Sequence, residues 1–143
     1  MITGITNTSF RKLLGWFLLA HALAHAMLAA EPRLDVPGAG AWTVFTSHSW
    51  ALAGLGVGSQ ATRLAGELLL AGAVLGFMLA GLGLMNVERQ AKAWRWTAIA
   101  ASALSLALMV LFWLPRLGPG VVIDAGLLAA LTVGWERVEK LII

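Results

Sequence analysis

The chain has 143 residues, enough for one compact domain; 59% of them are hydrophobic and 12% charged, against roughly 45–50% and 25% in an ordinary soluble domain. A soluble protein of this size could not hide so much apolar surface, whereas a bilayer solvates the outward faces of helices. The net charge is +3 and there is no cysteine, so disulfides, thiol catalysis and cysteine–metal sites are excluded; the basic residues stand at the ends of apolar runs, not in a dense patch with interleaved aromatics, which excludes a nucleic-acid binder.

Four long apolar runs follow one another, at about residues 13–30, 64–86, 94–114 and 119–137. Each approaches or exceeds the ~18–20 residues that carry a helix across a ~30 Å hydrocarbon core. Leu and Ala dominate and no period-2 alternation is present, so strands are not favoured. The first run follows Arg11–Lys12 and contains Ala24-His25-Ala26, a pattern shared with secretory signal peptides. Two histidines are unusual in such a leader, and the run reads as a permanent helix.

The connection 31–63 is too long for a structureless loop in a compact domain. Its apolar stretch, Ala41–Leu55, reads as a short helix lying on or dipping into the membrane, ended by Gly54-x-Gly56-x-Gly58. The basic residues argue against a fifth span there. With four spans and the N-terminus inside, Arg11, Lys12, Arg89, Lys92, Arg95, Arg137 and Lys140 are cytoplasmic and Arg33, Arg63 and Arg116 external, seven against three. A fifth span would leave four inside and six outside, contrary to the positive-inside bias. Trp16, Trp94, Trp96 and Trp135 then fall near the inner boundary and Trp42, Trp50 and Trp113 near the outer one, as interfacial indoles do. The expected protein is thus an all-α, multi-pass membrane protein of one domain. It has four transmembrane helices in a bundle, a short interfacial or re-entrant helix between spans 1 and 2, and both termini cytoplasmic.

Small residues mark contact faces of helices in lipid. Gly72, Gly76 and Ala80 make such a stripe on the second span, Ala98, Ala101, Ser102 and Ser105 on the third, Gly126, Ala130 and Gly134 on the fourth, and Ala22, Ala26 and Ala30 on the first. With small stripes on all four, a tight intramolecular bundle is the first reading and homo-oligomerisation through one stripe the alternative, which the stripes themselves do not separate.

Ionisable groups within spans are the natural candidates for function. His21 and His25 are one turn apart on one helix face; Glu67 and Asp124 lie inside the outer ends of the second and fourth spans, and His48 in the outer connection. The helix directions put all five in the outer half, where they would form a polar pocket if they face inward. Imidazoles at i and i+4 with carboxylates can ligate a metal, foremost at His21 and His25. A haem would need His48 or another protomer opposite them, since one helix face cannot clamp it from both sides. The same groups could relay protons or hold the head of a quinone or lipid. Structural readings stand beside these: histidines bonded to neighbouring helices, and carboxylates capping helix N-termini.

The His21-Ala-Leu-Ala-His25 element in an Arg/Lys-led first span resembles a broad group of small, uncharacterised bacterial four-helix integral membrane proteins and, more distantly, DoxX-like proteins. The likeness extends to Ala80-Gly81-Leu82-Gly83-Leu84, to Phe112-Trp113-Leu114-Pro115 and to the single Asp124 of the fourth span. It implies a bacterial inner-membrane location and the four-helix architecture, and brings no assigned reaction or catalytic residue set. The expected role is a binding or accessory subunit, in contact with lipid and with a homo-oligomer or larger membrane complex, holding a metal, haem, quinone or lipid in its outer half. The alternatives are a His-ligated metal or redox enzyme and a small proton-coupled transporter.

Overall fold

The computed structural model describes residues 3–29, 45–85 and 93–142, and among these every regular element is helical. The helices are α1 (Thr3–Leu28), α2 (Trp50–Gly54), α3 (Ser59–Leu84), α4 (Trp94–Leu111), α5 (Gly118–Thr132) and α6 (Trp135–Ile142), with 3₁₀ turns at Phe45–Ser47 and Pro115–Leu117. Two of them, α3 and α4, are each long and apolar enough to cross a membrane.

Helix ends depart from the apolar runs for local reasons. Gly58 is extended at the N-cap, and α3 starts at Ser59, ahead of its apolar run, because Gln60, Ala61 and Arg63 favour helix whether or not their neighbours are apolar. At the other end of α4, Pro115 disfavours helical backbone in the residue before it, and Leu114 is extended (φ −134°, ψ 138°). The fourth run is not one straight helix over 119–137. The N–H groups of Val133 and Gly134 both donate to the Ala129 carbonyl, α5 stops, and α6 leaves at 84°.

Within 41–55, residues 41–44 lie outside the described part. The remainder is a 3₁₀ turn followed by the five-residue α2 in place of one continuous helix. Ser49 breaks it: its backbone is extended, and its hydroxyl accepts from Leu52 N–H while donating to the Leu111 carbonyl. Phe45, Thr46 and Ser49 are buried, so this segment plugs the end of the bundle. Gly56 turns the chain into α3 at φ +73°, a left-handed conformation that costs other residues roughly 1–2 kcal/mol.

α3 packs against both α1 and α4, and α5 packs against α4. At one end, Leu18, Leu84, Trp94, Leu131 and Ile142 form an apolar cluster; at the other, Phe45, Leu70, Leu108, Phe112 and Leu117 form a second. The α1–α3 contact depends on Gly15 and Gly81. A Cβ on Gly81 would stand 2.8 Å from the Gly15 carbonyl oxygen, and one on Gly15 3.0 Å from that of Gly81. The predicted stripe on α3 serves the intramolecular contact with α4: Gly72 faces Leu104 and Gly76 faces Ala101. The stripe on α4 is buried throughout, whereas Ala26 and Gly126 are exposed, and Ala30 lies outside the described residues.

Large apolar side chains cover the exterior as well as both ends of the core. Ala73, Ala80, Ala98 and Ala101 are interior, together with His21, His25, Ser102, Ser105 and Asp124, while Leu13, Leu23, Met27, Leu68, Leu75 and Val122 point outward. Water would penalise so large an apolar exterior; lipid does not.

Candidate functional site: a buried His–Ser–Asp cluster

The interior polar residues come from three helices and converge on one carboxylate. His21 and His25, separated by one turn, share the inward face of α1, and Asp124 projects from α5 at 0% exposure. His21 Nε2–H donates to Asp124 Oδ1 at 2.8 Å. From α4, the Ser105 hydroxyl donates to Asp124 Oδ2 at 2.5 Å, and its oxygen stands 2.5 Å from His25 Nε2. His25 Nδ1–H donates to the His21 carbonyl at 3.0 Å, which fixes that ring and aims Nε2 at the cluster.

Ser105 donates its one hydrogen to Asp124, so its oxygen is left to accept, and His25 Nε2 faces it.

Phe77 of α3 walls the cluster. Its ring meets His21 edge-on at 4.8 Å and His25 at 5.5 Å, and Phe17 stacks on His21 at 5.9 Å. Close packing of α1 on α5 is slight; the imidazoles bridge the gap. The centre therefore sits where two helices stand apart, in a bundle whose other seams are closed by glycine and alanine. Ser102, one turn from Ser105 on α4, is also fully buried, and its hydroxyl has no partner among the described residues.

Of the five residues singled out by sequence, the structure brings together three. The ligand-capable atoms of His21, His25 and Asp124 all lie within 4.8 Å of one another. Glu67 is half-exposed on α3, accepting from Arg63 Nε–H at 2.7 Å. It edges a groove of ≈ 550 Å³ lined by Ala26, Ala29, Leu70, Ala71, Val74 and Leu75. His48 lies between the 3₁₀ turn and α2, outside the cluster. Neither carboxylate caps a helix: Glu67 lies in the third turn of α3 and Asp124 in the second turn of α5, past the first-turn N–H groups. The position facing the histidines from α3 is Phe77, not Glu67. Ser105 is the member that sequence reasoning used only as a small contact residue; its spacing from Ser102 on one helix face was the available signal.

A haem does not fit between these histidines. Their rings are 4.6 Å apart and near-perpendicular at 68°, leaving no slot for a macrocycle, and His48 does not oppose them. What the arrangement can do is present two imidazole nitrogens and a carboxylate to one point, inside a protein-walled and largely apolar enclosure. No protein-family model, no curated protein and no solved structure matches the chain.

Proposed function

We propose that this chain is a four-span protein of a bacterial inner membrane, with both termini cytoplasmic, that acts as a binding or accessory subunit holding a small ligand at the His21–His25–Ser105–Asp124 centre. The observation that carries the binding role is the centre itself. Four polar side chains are buried together where an apolar core would pack with equal or greater stability. Intramembrane ionisable groups held in that way mark sites.

Supporting the four-span reading, the apolar half of α1 runs antiparallel beside the half of α3 that ends at Leu84: Gly15, midway along α1, meets Gly81, and Leu28 joins the Phe45–Leu70 cluster. A helix packed in this way beside a spanning helix shares its apolar surroundings. Arg11, Lys12, His21 and His25 lower the mean hydropathy of α1, but the two histidines are partnered and the basic pair precedes the apolar run. The fourth crossing is α5, with α6 turned into the interface plane. There α6 presents Glu136, Arg137 and Lys140, while Trp135, Val138 and Ile142 pack inward, as interfacial amphipathic helices do. Arg95 lies over the Trp135 ring at 4.1 Å, tying α4 to this end.

The test is the composition of protein extracted gently from its native membrane. Native mass spectrometry, with elemental analysis of the same sample, should find a stoichiometric small species bound to the wild-type chain and absent from Asp124→Asn. A wild-type sample that carries nothing beyond exchangeable lipid would rule the binding role out.

A further inference from the structure

We infer that the ligand of this centre is a single divalent first-row transition-metal ion, bound by His21 Nε2, His25 Nε2 and one oxygen of Asp124; this rests on the binding role proposed above. Three features select this class. Two imidazoles and one carboxylate suit transition ions, whereas calcium and magnesium seek oxygen-dominated shells. The spacing also fits. Two ligands about 2.0–2.2 Å from zinc at a tetrahedral angle stand about 3.4 Å apart; here one ligand atom from each of His21, His25 and Asp124 lies within 4.8 Å of the other two, with His21 Nε2 2.8 Å from Asp124 Oδ1. Small side-chain rotations admit the ion, while the hydrogen that His21 Nε2 directs at Asp124 moves to Nδ1 or to solvent and any hydrogen on His25 Nε2 is released.

The third feature is the surrounding shell. His25 Nδ1–H on the His21 carbonyl is the outer contact by which metal-bound histidines are usually oriented. Ser105 sits on the other Asp124 oxygen, where it would steady the carboxylate, and Ser102 leaves a buried hydroxyl without a partner one turn away. Three protein ligands leave at least one coordination position for water or a substrate, the pattern of an open site in contrast to a closed structural one.

The experiment titrates cobalt(II), a spectroscopic substitute for zinc or iron(II), into the chelator-stripped full-length chain in detergent. The expected result is one ion per chain, with visible bands of a low-coordinate nitrogen–oxygen site that zinc displaces. His25→Ala and Asp124→Asn should weaken binding by at least the roughly 10–100-fold that loss of an outer-shell partner alone costs, while His48→Ala leaves it unchanged. X-ray absorption of the wild-type cobalt form should count two imidazoles, a readout independent of whether any variant folds. Refusal of cobalt by the wild type, fewer than two imidazoles, or binding indifferent to His25→Ala and Asp124→Asn in folded protein would overturn the metal site. An organic molecule in native protein that refuses cobalt overturns the metal and keeps the binding role. Cobalt bound in vitro by a chain that carries nothing from its membrane overturns the binding role and keeps the site.

Discussion

Asp124 is the hub of the polar centre: His21 reaches one of its oxygens, Ser105 the other, and His25 joins through Ser105. Removing the hub strands two buried imidazoles. Asp124→Ala should therefore cost about 3–5 kcal/mol, the range for breaking one side of a buried pair, and Ser105→Ala about 1–3 kcal/mol, the range for one lost buried hydrogen bond. Replacing the whole set (His21→Leu, His25→Leu, Ser105→Ala, Asp124→Leu) should recover most of that loss, because no buried polar group remains unpaired. Thermal unfolding in detergent orders the three variants; a fully apolar variant less stable than Asp124→Ala would make the centre structural. Spacing and helix direction alone place His21, His25 and Asp124 at a common depth, because they depend only on residue number. They misplace Glu67, which stands about 15 Å along α3 from Phe77, the residue of that helix that meets the histidines, so a common depth read from run boundaries fails there.

Contacts between whole helices depend on how closely the backbones approach. The α1–α3 crossing puts each of Gly15 and Gly81 against the other's carbonyl oxygen, while an added Cβ on Gly126 would meet nothing within 4 Å. Gly81→Leu should destabilise the bundle by roughly 1–3 kcal/mol or more, as overpacking does, and Gly126→Leu should stay within about 0.5 kcal/mol, as surface changes do. Chemical denaturation of both variants checks this; equal losses would mean that the glycines are not distinguished by packing. The small-residue stripes were legible in the sequence, but their partners were not, since any stripe can face a neighbour in the chain, another copy or lipid. Element ends were legible only where a breaker sits, as at Pro115. Apolar runs report where lipid begins and say little about where hydrogen bonding does, which is why α1 and α3 begin ahead of theirs. The bend between α5 and α6 has no proline to announce it.

For the whole molecule, the apolar exterior and the packing of α1 beside α3 bear on where the polar centre lies relative to lipid. All-helical character and apolar spanning segments were evident from composition and run length, the two properties a bilayer constrains most strongly. His21 and His25 are intramembrane only if α1 crosses. The absence of native cysteine allows a clean test in intact cells with single-cysteine variants and a membrane-impermeant maleimide. Gln60→Cys, exposed at the start of α3, should be labelled from outside, and Lys12→Cys and Lys140→Cys only after the membrane is opened. Labelling of Lys12→Cys and Gln60→Cys from the same side would contradict the four-span arrangement and remove the histidine–aspartate centre from the membrane.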